Sequence, residues 1–233
     1  MEKLVYLLWK PEAASGDALR DQLLGVTAKA VLDAGALKLQ IDVADAAVAP
    51  AAPLRMMNTR PLPDALATLW LHTHLDRKPV EKMLAAAAPR LAGYLVAESE
   101  PIPNVKQRAR VGERTPGYAQ IALIQRPPRI DPEHWLQIWQ GSHTAVAKVT
   151  QSTFRYVQNA VIRPITYGAS HFDAIVEECF PEAAMTSQHA FYDAVGDDAK
   201  LDTNRARMME STARFIDFDR IDVIPMSEYV VQP

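Results

Sequence analysis

The chain has 233 residues, 48% of them hydrophobic, which is enough to bury a substantial core as one large domain or two small ones. A formal net charge of −3 provides no field that would draw nucleic acid or an anionic membrane surface, and no apolar run is long enough to span a membrane. The single Cys179 excludes an internal disulfide and fits a reducing compartment, so a cytoplasmic protein is expected.

The opening MEKLVYLLWKPE has an acid at position 2 and no small-residue cleavage site, so it reads as a first strand and not as a signal peptide. A helix over 17–34 follows, with Asp17 as its N-cap and Gly35 just past its end. Strands are predicted at 37–43 and 66–75, a helix opens at Pro79, and a strand at 93–99 closes the set. After a connection rich in Pro, Gly and Arg the order begins again: a strand at 118–125, a helix capped by Asp131-Pro132 and running to about Val149, strands at 153–161 and 171–180, a helical region over 187–213, and a last strand at 220–231. The βαββαβ order of a ferredoxin-like unit thus occurs twice.

A shift of 116 residues lays one copy on the other through the first strand and helix. Val5, Leu7 and Leu8 fall on Ile121, Leu123 and Ile124; Leu19 and Leu23 fall on Trp135 and Trp139; Gly25 falls on Gly141; Thr27 falls on His143. The expected fold is α+β: two tandem ferredoxin-like units, residues 1–105 and 118–233 joined by a linker at 106–117, forming an intrachain α+β barrel from antiparallel sheets. Each sheet would cover one face with its own helices and turn the other toward a lumen. By strand alternation, Phe172, Ala174, Val176 and Phe180 suit the helix-covered face, and His171, Asp173, Ile175, Glu177 and Cys179 the lumen. The glycine present in both copies reads as close approach of helix to sheet.

His143 is the leading candidate for chemistry. It sits at the edge of the Trp135, Trp139, Val146 stripe, where an imidazole could act as general acid or base or donate to a ligand carbonyl; a histidine hydrogen-bonded at a buried edge fits the same pattern. His72 and His74 share one strand face at a spacing that two metal ligands can use, but a metal site needs a third ligand, and no metal is expected. Cys179 has no neighbouring His or cap that would activate it. Lys106, Arg108, Arg110 and Arg114 read as a solvated linker without the interleaved aromatics of a nucleic-acid surface. No phosphate-binding loop, G-x-S-x-G, C-x-x-C or dinucleotide fingerprint occurs.

At WQGSHTAVAKV…FRYVQNAVI the chain resembles the EthD-domain family of the dimeric α+β barrel superfamily, through Trp139…His143 followed by Tyr156-Val157-Gln158. The resemblance covers residues 117 to the end. It implies a barrel fold and a site at His143, with Tyr156, Gln158 and Asp173 as further lumen candidates; Trp139, His171, His72 and His74 join them as substrate-binding candidates from the helix and strand patterning. The expected function is a cofactor-independent isomerase, cyclase or monooxygenase acting on a small apolar or aromatic carbonyl compound. The alternative is a non-catalytic ligand-binding barrel. A small-molecule ligand is the expected partner, with no nucleic acid and no membrane, and exposed strand edges would allow a homodimer.

Overall fold

The computed structural model describes residues 1–233. Eight strands, β1 (Glu2–Trp9), β2 (Lys38–Val43), β3 (Ala65–Leu71), β4 (Arg90–Ile102), β5 (Tyr118–Ile124), β6 (Arg155–Pro164), β7 (Ala174–Phe180) and β8 (Ile221–Gln232), close into an antiparallel barrel in the order β1-β3-β2-β8-β5-β7-β6-β4. Residues 2–102 supply the contiguous run β4-β1-β3-β2, and residues 118–232 supply β8-β5-β7-β6. The runs meet at two seams, β2 against β8 and β4 against β6. Closure removes the free strand edges that an open sheet would leave. No helix is long and apolar enough to cross a membrane.

Apolar residues at helical spacing drive helices onto the outer face of each run. Over the first lie α1 (Gly16–Gln22), α2 (Ala28–Asp33) and α3 (Lys78–Ala87); Leu19, Leu23, Val31, Val80 and Leu84 from these layers pack on Leu4, Tyr6, Leu8, Ile41 and Leu69. Over the second lie α4 (Pro132–Leu136), α5 (Thr144–Thr150), α6 (Gln188–Phe191) and α7 (Asp198–Ala213). Asp131 caps α4, accepting from the His134 backbone N–H. At α1 the cap is Ser15 and not Asp17: the Ser15 hydroxyl accepts from the Ala18 N–H, while the Asp17 carboxylate binds Arg20 and the Ala46 N–H.

The two long helices expected at 17–34 and 131–149 are each interrupted by a π-helical segment, Leu23–Thr27 and Gln137–His143. Gly25 and Gly141 sit inside these segments, and a Cβ on either would meet nothing within 4 Å. Close approach to the sheet is therefore not their role. At Gly25 the backbone leaves the helical region (φ −86°, ψ −111°), and a residue without Cβ eases the local unwinding a π turn needs.

Inside the barrel, alternate strand residues fill the space. Val5, Leu7, Tyr94, Ile121, Ile175 and Met226 belong to one apolar cluster. Beside it runs a buried ionic network. Lys3 contacts Glu98 and lies 3.5 Å from Glu177; Arg155 contacts Glu228 and lies 3.3 Å from Glu177. Gln40 donates to Asp42 and Glu177, each at 2.8 Å, and Asn159 donates to Glu177 at 2.9 Å. Burial opposes ionisation of Glu177, but Lys3, Arg155 and the two amides outweigh it and hold the carboxyl well below the usual carboxylate range. Asp42 is pushed well above its usual range by burial and by Glu177 and Glu228. An eight-stranded barrel is just wide enough for side chains to fill, and beside these packed groups a pocket of about 270 Å³ remains, lined by Gln40, Trp70, Glu98 and Arg155.

Candidate functional site

A cavity of about 620 Å³ lies on the opposite, helix-covered face of the second run, within the size range of small-molecule sites. Its floor is the outer face of β5 and β7, with Gln120, Ala122, Val176 and Glu178. Its roof is Trp139 and His143 from the π segment with Met208 and Phe215 from α7 and the residues after it. A wall comes from the first half of the chain: the 3-10 segment Ala46–Leu54 places Pro50, Pro53 and Leu54 against it, and the Met56 backbone bridges to Val223. The sequence places its candidate site between the sheets; this larger cavity lies on the other side of the sheet from the ionic network.

Comparing the two halves shows why the space is open here. Strand register pairs Leu4 with Leu69, and Gln120 with Glu178; the 116-residue shift sets Leu4 on Gln120 and Tyr6 on Ala122. In the first half the Tyr6 ring fills the layer, lying so close over Gly93 that a Cβ there would come within 2.5 Å of it. In the second half Ala122 stands opposite Val223 and leaves the volume empty. At the same levels the leucine pair becomes Gln120 and Glu178, and Thr27 becomes His143. The cavity and its polar groups arise from the same few replacements.

Glu178 faces this cavity with no hydrogen-bonding or charged protein partner, and burial pushes its carboxyl up to about 7. Sequence reasoning passed over it. It has the strand parity of Ala174, Val176 and Phe180, and a carboxyl at one position of an otherwise apolar face was the available signal. Gln120 and Tyr156 flank it across the neighbouring strands. The Tyr156 hydroxyl accepts from Trp139 Nε1 at 3.1 Å and Gln158 Nε2 at 3.0 Å, and burial raises its pKa, so it stays protonated.

His143 is 6% exposed. Its Nδ1 lies 2.9 Å from the Ser211 hydroxyl and its ring centroid 4.7 Å from that of Phe215. Burial, with a contribution from the nearby Arg214 charge, lowers its pKa to about 4, so the ring is neutral at physiological pH. Phe215 is itself anchored, its carbonyl accepting from Trp135 Nε1 at 2.9 Å.

The structure brings together Trp139, His143 and Tyr156 at the cavity, with Gln158 behind them: Gln158 Nε2 also donates to Thr144 Oγ1 at 2.9 Å. The other candidates lie elsewhere. Asp173 precedes β7, accepts from the Arg126 N–H at 2.7 Å and meets the exposed His171 at 3.2 Å. β3 ends at Leu71, so His72 is exposed beyond it and His74 lies in the 3-10 turn His74–Asp76, its Nδ1 2.8 Å from Glu2 and its Nε2 2.6 Å from Arg163. The strand face that would have joined the two histidines does not form. No three His, Cys, Asp or Glu side chains converge in an arrangement that could hold a metal ion. Burial and Glu228 push the Cys179 thiol well above its usual range, which disfavours the reactive thiolate.

No protein-family profile matches the chain, and no curated protein matches it. Among solved structures, an anthrone oxidase-like protein superimposes with a TM-score of 0.55 at 10% identity, covering 99% of this chain and 92% of that one. A proposed monooxygenase from Lactobacillus acidophilus NCFM superimposes with a TM-score of 0.50 at 10% identity, covering 99% and 96%. At such identity the likeness is one of fold: the chain has the architecture of these α+β barrel proteins over essentially its whole length.

Proposed function

We propose that the chain is a cofactor-independent enzyme that removes a proton from a carbon activated by a carbonyl group, in a small apolar or aromatic compound held in the second-half cavity. The observation that carries this reading is Glu178, a carboxyl without a protein partner facing an apolar cavity that also holds His143. A base with a pKa near the working pH is suited to proton transfer. In the step envisaged, the C–H bond beside the carbonyl breaks, the proton passes to the Glu178 carboxylate, and the electron pair moves onto the carbonyl oxygen, which His143 stabilises. Return of the proton to a different carbon completes an isomerisation. The same enolate is the nucleophile for ring closure or, with dioxygen as co-reactant, for oxygenation.

The fold shared with an anthrone oxidase-like protein supports the choice of anthrone, a three-ring ketone with an acidic methylene, as the first compound to assay. Proton exchange into deuterated water is measured against pH. The rate should rise through an apparent pKa near 7 and should fall by a factor on the order of 100 or more in Glu178→Gln. Tight binding with no exchange or turnover in the wild type would instead favour a ligand-binding barrel.

The matching strand orders of residues 2–102 and 118–232 and the π segment at the same point of each half support the finer reading of two tandem ferredoxin-like units, with residues 1–105 and 118–233 as their extents. In that reading only the second unit, the EthD-like one, keeps a site, and the first serves as its partner sheet and supplies a cavity wall.

A further inference from the structure

We propose that Ser211 fixes His143 as the Nε2–H tautomer, so that the ring offers the cavity a hydrogen-bond donor and selects ligands carrying a carbonyl or phenolate oxygen at that point. This rests on the reading of the cavity as a ligand site and assigns its polarity.

The Ser211 hydroxyl lies 2.9 Å from His143 Nδ1, and both residues are buried. On the same helix the hydroxyls of Thr203 and Thr212 donate to the carbonyls four residues back. Ser211 makes no such bond, and His143 Nδ1 is its single partner. A buried hydroxyl with one acceptor in reach donates to it. The opposite arrangement, Nδ1–H donating to Ser211, would leave the hydroxyl hydrogen without an acceptor. Nδ1 is therefore the lone-pair nitrogen, and the neutral ring carries its hydrogen on Nε2. Nε2 has no protein partner, and the ring lines the cavity. Arg214 disfavours a second proton on the ring. Phe215 packs against it at 4.7 Å and restrains its orientation. A fixed N–H with nothing to bind in the protein matches an oxygen acceptor on the ligand. Glu178, which can accept a proton, matches the acidic C–H or O–H. Ser211 is thus a positioning residue, acting on the ligand only through His143.

The tautomer is read by two-dimensional NMR of protein labelled with ¹⁵N-histidine, the His143 signals being those lost in His143→Gln. The Nε2–H tautomer is expected in the wild type and in Ser211→Thr, which keeps the hydroxyl, with a tautomer mixture in Ser211→Ala. An Nδ1–H ring in the wild type, or an unchanged spectrum in folded Ser211→Ala, overturns the proposal. In a second arm, anthrone and 9,10-dihydroanthracene, its counterpart without the carbonyl, are titrated into the protein. The wild type should prefer the ketone by about tenfold, the worth of one hydrogen bond. The preference should vanish in His143→Gln, shrink in Ser211→Ala and return in Ser211→Thr. Equal affinity for the two compounds overturns the assigned polarity. Binding of neither overturns the reading of the cavity and the ligand selection with it, while the tautomer result is decided by the spectra alone.

Discussion

Glu178 and His143 share a cavity whose low polarity disfavours the charged form of each, and so they move stability in opposite directions with pH. The His143 pKa drops from 6.5 unfolded to about 4 folded. As pH falls through that window the unfolded chain takes up a proton that the folded one does not, and stability falls by up to about 3 kcal/mol. Glu178 rises from 4.5 unfolded to about 7 folded. Its contribution is complete below 4.5 and is lost as pH rises through 7. Discounted for its partial exposure, this is about 1–3 kcal/mol. Between pH 4.5 and 6.5 the two slopes largely cancel in the wild type. Glu178→Gln should therefore be more stable than wild type above pH 7 and no more stable near pH 4, and its stability should rise with pH up to about 6.5. Urea unfolding at a series of pH values checks this; no gain at alkaline pH would show that the carboxyl is not desolvated as described. A residue that weakens the fold at the working pH is the kind of exception to local consistency that functional sites show.

The order and type of nearly all elements were legible in the alternation of strands and helices; strand parity sent Glu177 and Cys179 inward and Val176 outward as observed, while Phe172, expected on the helix-covered face, lies before β7 and packs in the interior cluster. The cavity was not legible, because it depends on the volume of one residue facing another across a layer. Tyr6 over Gly93 fills the first half; Ala122 opposite Val223 leaves the second open. Ala122→Tyr should therefore abolish ligand binding while overpacking against Val223, with a loss of about 1–3 kcal/mol. Ala122→Tyr with Val223→Gly reproduces the first-half arrangement and should recover part of that stability without recovering binding. Thermal unfolding and the anthrone titration measure both, and a double variant no more stable than the single one would mean that the two layers are not built alike. The π segments were hidden for a different reason. Glycine recurs at their centre in both halves, but a glycine in a helical pattern signals packing and unwinding equally, and the open space around Gly25 and Gly141 decides between them.

At the scale of the whole molecule, the barrel interior ties the halves together. Lys3, Gln40 and Asp42 come from the first half, and Arg155, Asn159, Glu177 and Glu228 from the second, with Glu177 meeting Lys3, Arg155, Gln40 and Asn159. Alternation along single strands could mark these as interior polar residues, but their partners sit on other strands, 22, 73 and 95 residues away for three of the ion pairs and 137 for Gln40 and Glu177. A polar-lined lumen was the expectation, and a network of paired charges is what the opposing strands make. Removing one member of such a network takes a partner from each group it meets. Glu177→Ala, which leaves Lys3 with Glu98 and Arg155 with Glu228 and Glu100 and takes an acceptor from Gln40 and Asn159, should lower stability by about 1–3 kcal/mol. Trp9 and Trp70 report on the first half and Trp135 and Trp139 on the second. In urea, the wild type should unfold in one transition, with tryptophan fluorescence and far-UV circular dichroism sharing a midpoint, because the two seams and the network make each half a condition for the other's folding. Two transitions, or separate midpoints for the two signals, would show that the halves fold independently and that the network adds little between them.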